Sequence, residues 1–127
     1  MNINQINILV LAYIGDSVYE TKVRDYLISL GYNKVNRLQT LSLNYVTAKK
    51  QCEFINKFID NNLLSEEEID VVKRGRNAKV YSHPKNVDIV TYKWATAFEC
   101  LFGYLHLINN EERINELMNY VVGGFKW

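Results

Sequence analysis

The chain has 127 residues, 48% of them apolar, and its fifteen Lys and Arg against fourteen Asp and Glu leave a formal net charge of +1. This bounds it to one domain that buries roughly two-thirds of its unfolded surface, and excludes disorder and low complexity. It also excludes a nucleic-acid binder that works by overall charge, and no apolar run reaches the roughly 18 residues of a membrane span.

Nine tyrosines, one proline and six glycines favour an all-α chain over a turn-rich β fold. Asn4 is placed to cap a first helix that begins near Gln5, carries Ile6, Leu9, Val10, Tyr13, Val18 and Leu27, and stops at Gly31. A short helix over 34–41 and a longer one over 44–61 are expected next, with the break at Ser42 or Leu43. The longer one places Tyr45, Ala48, Cys52, Ile55 and Ile59 on one stripe.

Ser65 and Glu68 form a capping box for a helix that runs to about Asn77. Asp88 or Asn86 caps a helix over 89–107 whose core face is Val90, Trp94, Ala97, Phe98, Leu101, Phe102 and Leu105. Asn110 caps the last helix, with Glu111 and Glu112 in its first turn and Gly123-Gly124 at its end. Cys52 and Cys100, isolated in helical apolar patterns, read as reduced, buried thiols of a cytoplasmic protein, and no basic-then-apolar leader is found.

Two acids stand out because apolar helix flanks them on both sides. Asp16 follows the run Ile8 to Ala12, and Glu99 lies between Phe98 and Cys100. An ionised carboxylate in such a setting needs a partner, since burial strips its hydration. If the two helices pack together, with Gly15 and Ser17 permitting close approach, the carboxylates can share a divalent cation; hard oxygens and an incomplete protein shell suit Mg2+. Equally open from the residues alone is that each acid is satisfied by a nearby Lys, Tyr or backbone donor. Glu20, one turn beyond Asp16, can join that site or pair with Arg24.

The stretch from Lys73 to Lys85 holds five cations and no acid. Lys73, Arg74, Arg76, Lys79 and Lys85 can neutralise phosphates, Asn77 and His83 offer neutral hydrogen bonds, and Gly75 is read as giving access to the backbone. A solvated face is the alternative. His106 reads as a packing histidine, and the histidines and cysteines lack zinc spacing. No P-loop, GxGxxG or GxSxG motif occurs.

Together these segments resemble the ribonuclease III catalytic domain, in its mini-ribonuclease III branch, which lacks the double-stranded-RNA-binding domain. The run from Leu11 to Glu20, LAYIGDSVYE, is similar to the family's helix around its catalytic aspartate. Lys73 to Lys79 resembles the mini branch's basic loop, and Ala95 to Tyr104 the late helix carrying the second metal-ligating acid. Ala12 and Thr96 stand where the larger enzymes have further acids, a departure shared by the mini branch.

The resemblance implies one all-α catalytic domain over 1–127 with six or seven helices. It implies Mg2+-dependent cleavage of double-stranded RNA to 5′-phosphate products, with Asp16 and Glu99 as catalytic metal ligands. It also implies a homodimer, maturation of a 23S ribosomal RNA precursor, and a ribosomal protein as a candidate for presenting the RNA. The second reading is a non-catalytic helical module that binds structured RNA or a protein.

Overall fold

The computed structural model describes residues 2–80 and 82–123, and every regular element among them is helical. A 3-10 turn at Ile3–Gln5 leads into α1 (Ile8–Ser29), followed by α2 (Val35–Val46), α3 (Ala48–Asp60), α4 (Glu66–Arg76), α5 (Ile89–Leu107) and α6 (Glu111–Val122). The organising element is α5, whose buried residues run Ala95–Ala97-Phe98, Cys100–Gly103 and Leu105 and leave no polar stripe in its second half. A helix apolar all round must be enclosed, and α1, α3 and α4 pack on it from different sides.

The centre is aromatic. Tyr19 meets Phe98 edge-on at 4.7 Å and Phe102 at 5.3 Å, with Phe58 tilted against Phe98 at 6.1 Å. The Tyr19 hydroxyl donates to the carbonyl of Tyr45 at 2.7 Å, which satisfies the polar end of a fully buried ring and ties α1 to α2. Burial raises the Tyr19 hydroxyl well above the ordinary tyrosine range.

Several local signals act as the sequence indicates. The Ser65 hydroxyl and Glu68 side chain form the reciprocal box, Asp88 accepts from the Thr91 N–H, Asn110 accepts from the Arg113 N–H, and Gly31 and Gly123 take positive φ at helix ends. Six expectations need correction. Val90 is 60% exposed and not part of the core face of α5, and Cys52 is only half-buried. Helix α1 starts at Ile8, because the Asn7 side chain accepts from the Leu9 N–H and so caps it, while Asn4 lies in the preceding 3-10 turn. The break between α2 and α3 is at Thr47, whose extended backbone ends one helix and whose hydroxyl caps the next through Lys50 N–H. The buried stripe of α3 is Gln51, Ile55 and Phe58, rotated from the expected one. His106 is exposed.

Both cysteines are free. Cys100 is buried and donates to the Ile8 carbonyl at 3.2 Å, and burial pushes its thiol up to about 12.

Candidate active site

The site begins with a close helix crossing. A Cβ built on Gly15 would fall 1.7 Å from the backbone oxygen of Glu99, and one built on Gly103 would fall 1.9 Å from the backbone oxygen of Leu11. Two glycines, one on each helix, thus let α1 and α5 touch backbone to backbone. That contact carries Asp16, next to Gly15, up to Glu99.

Asp16 is exposed at the mouth of the resulting cleft and Glu99 lies deeper. The cleft, about 640 Å³, is lined by Leu9, Tyr13, Asp16 and Ser17 from α1, Tyr92, Thr96 and Glu99 from α5, and Lys79, Val80 and Ser82 from the loop after α4. The Glu99 carboxyl is pushed up to about 9, first by burial, then by its hydrogen-bonding contact with Asp16 and the Asp16 charge, with Glu20 adding repulsion. The Gln51 side chain acts in the opposite direction. Glu20 itself pairs with Arg24 at 3.6 Å.

Two carboxyls this close in a partly buried cleft disfavour ionising together, and the repulsion is relieved by a proton or a cation between them. The oxygen donors fit a hard divalent ion that keeps part of its water shell. The protein's share of the ligands is small. Ala12 offers no donor, and the Thr96 hydroxyl is committed to the Tyr92 carbonyl at 3.0 Å. Among the described residues no three His, Cys, Asp or Glu side chains converge.

The basic segment divides. Lys73, Arg74 and Arg76 lie on the last turns of α4, where they also complement the negative end of the helix, and Asn77 is its C-cap. Lys73, Arg74 and Asn77 border a shallow hollow with Asn4–Ile8, and Arg76 sits 5.1 Å over the Trp94 ring and donates to Asn77 at 3.2 Å. Lys79 reaches the cleft of the two acids, whereas His83 lies beside Tyr92, 6.2 Å between rings, and Lys85 is exposed in the loop.

Gly75 is not an access point for phosphate. It is buried against α5, where a Cβ would meet Cys100 Sγ at 2.9 Å and Ala97 Cα at 3.0 Å, so its role is helix packing. Gln51 is the site residue that sequence reasoning missed. The available signal was its spacing from Ile55 and Phe58, which puts it on the inward stripe of α3.

The family model of the ribonuclease III domain matches residues 9–110. The chain is 48% identical to Mini-ribonuclease 3 of Enterococcus faecalis over 93% of its own length and 89% of the relative's. It is 38% identical to Mini-ribonuclease 3 of Streptococcus pneumoniae over 96% of its length and 95% of the relative's. Its backbone is similar to the crystal structure of a Fusobacterium nucleatum protein, with TM-score 0.85, 33% identity, and coverage of 94% of this chain and 96% of that one. With the paired glycine crossing and its two acids set within the matched segment, the chain belongs to the ribonuclease III family, in the mini-ribonuclease III branch, and is an endoribonuclease of that type.

Proposed function

We propose that the chain is a Mg2+-dependent nuclease for double-stranded RNA in which Asp16 and Glu99 hold the metal, and that it matures the ends of a 23S ribosomal RNA precursor in the cytoplasm. The observation that carries the metal assignment is the meeting of the two carboxyls across the α1–α5 crossing, in a cleft with a cationic lip at Lys79. The ribosomal substrate is supported by membership of the mini branch.

When bound, Mg2+ supplies Lewis-acid activation of water and electrostatic stabilisation at a phosphodiester. Asp16 and Glu99 orient that chemistry, and Gly15 keeps their helices close enough to do so. Lys79 at the lip, with Lys73, Arg74 and Arg76 on the flank, draws in and neutralises the phosphates, while Asn77, His83 and Lys85 extend the same surface. Duplex RNA is read mostly through phosphates and 2′-hydroxyls, which suits a cationic surface without base-reading elements.

A two-fold dimer places one cleft on each strand. Leu9, Val10 and Tyr13 support a homodimer, since they form an exposed apolar face on α1 beside the cleft, with Tyr13 81% exposed.

The test is incubation of the purified chain with long duplex RNA and with a 23S precursor duplex, with Mg2+ and with chelator. Fragments bearing 5′-phosphates in Mg2+ alone are expected. Cleavage undiminished by chelator would remove the metal assignment, and long duplex cut while the precursor stays intact would remove the ribosomal one.

A further inference from the structure

The N-terminal turn carries more amides than its fold uses. Asn2, Asn4, Gln5 and Asn7 are interspersed there with Ile3, Ile6 and Ile8. The three isoleucines pack against the small core of Leu11, Ala12, Val71 and Cys100, and Cys100 Sγ donates to the Ile8 carbonyl at 3.2 Å, so the turn is pinned to α1, α4 and α5. Asn2 and Asn7 act as caps, accepting from the Asn4 and Leu9 N–H groups. The Asn4 and Gln5 side chains are exposed and make no hydrogen bond among the described residues. With Lys73, Arg74 and Asn77 they border the hollow beside α4, about 610 Å³, which no acid lines. The donors on the α4 side are equally available. Neither cation has a carboxylate partner among the described residues, although Asp70 lies one turn before Arg74, and Arg76 occupies only Oδ1 of Asn77, leaving the amide N–H groups to donate. The hollow adjoins the cleft of the two acids: Ile8 borders the first and Leu9 the second, and Asn77 and Lys79 do the same two residues apart, a separation of at most about 7 Å.

We propose that this hollow is a ribose–phosphate subsite for the RNA strand beside the cleft, in which Lys73 and Arg74 take a phosphate and the Asn4 and Gln5 amides hydrogen-bond a neighbouring 2′-hydroxyl. This rests on the reading of the chain as a nuclease for double-stranded RNA, and not on the metal assignment. The chemistry divides the two walls. A phosphate diester only accepts, which suits the cations of α4, whereas a 2′-hydroxyl both donates and accepts, which suits carboxamides and is the group that distinguishes RNA from DNA. Lacking an acid, the hollow receives a phosphate without a cation, unlike the cleft of Asp16 and Glu99.

The experiment is binding of duplex RNA and of duplex DNA of the same sequence, in chelator and at salt low enough for both to bind. The wild type is compared with Asn4→Ala/Gln5→Ala, with Gln5→Glu and with Lys73→Gln/Arg74→Gln, each checked for its fold by thermal melting. Removing the amides is expected to weaken RNA binding about tenfold, the effect of one or two hydrogen bonds, and to leave DNA binding and the salt slope as in the wild type, so that the preference for RNA narrows by the same factor. Gln5→Glu, whose carboxylate repels a phosphate, should lose more. Removing the cations should weaken binding of both duplexes and flatten the slope by about one unit for each residue that contacts a phosphate. RNA binding of wild-type strength in the amide variants, or an equal loss on DNA, would overturn the inference. Failure of the wild type to bind duplex RNA at all would instead overturn the nuclease reading on which it rests.

Discussion

Gly15 and Glu99 meet backbone to backbone: a methyl group added to the first would lie 1.7 Å from the carbonyl oxygen of the second. No rotamer change can relieve this contact, because the obstructing atom belongs to the main chain of α5. Gly15→Ala should therefore destabilise the fold even though alanine is intrinsically better in a helix by about 1 kcal/mol. Overpacking of this kind costs typically about 1–3 kcal/mol or more. Chemical denaturation should show a net loss of about 2 kcal/mol, and the displaced Glu99 should weaken Mg2+ binding; a stabilised variant would mean that the helices separate freely.

Arg113 grips Glu68 through Nε at 2.8 Å and a terminal nitrogen at 2.9 Å, reaches the Leu63 carbonyl at 2.5 Å, and also pairs with Glu116. Burial alone would raise the Glu68 carboxyl, but the hydrogen bonds from Arg113 and from Ser65, with the Arg113 charge, hold it below the ordinary range. A carboxyl lowered in the folded state contributes stability above its unfolded pKa of roughly 4.5, and that contribution is lost as pH falls through and below this value. Arg113→Met, which strands a buried carboxylate, should cost about 3 kcal/mol at neutral pH and less as acid protonates Glu68. Melting temperatures from pH 7 to pH 3 check both signs.

Asp16→Asn and Glu99→Gln keep the size and shape of each side chain while removing the charge. Each should lower cleavage of duplex RNA in Mg2+ by about 1000-fold or more, the several kcal/mol that a catalytic metal supplies, and leave duplex binding largely intact. Single-turnover cleavage beside binding in Ca2+ separates the two effects. Either variant cutting at the wild-type rate would strike that residue from the site.

Replacing Arg74 and Arg76 together with Gln should weaken binding to all duplexes alike and flatten its salt dependence, by about one unit of log–log slope for each arginine that contacts a phosphate. Because Arg76 also covers Trp94, it is expected to carry a small stability cost of about 0.5–1 kcal/mol. A titration series from low to moderate salt decides the matter. An unchanged slope would assign these arginines to the α4 C-terminus alone.

What the sequence by itself determined is whatever depends on neighbours one helical turn apart. Ser65 with Glu68, Asp88 with Thr91 and Asn110 with Arg113 are contacts three residues apart, and Gly31 and Gly123 need only their own positive φ. The all-α class and the basic segment were legible for the same reason, since composition and periodicity are local. Thr47 shows the edge of that legibility: it caps α3, but the third helical residue after it is Lys50 rather than an acid, so half of the capping signature is missing.

Only the tertiary structure decided which helix faces meet. Gly75 looked like an opening in a cationic loop and is instead a packing contact with Cys100 and Ala97. Gln51 was unremarkable until α3 took the rotation that buries it with Ile55 and Phe58 and turns it toward Glu99. Asp16 and Glu99 both stood out because apolar helix flanks them, but only Glu99 is held away from water, while Asp16 is exposed at the mouth of the cleft. That the partner of each is the other follows from two glycines far apart in the chain whose missing side chains let the backbones of α1 and α5 touch.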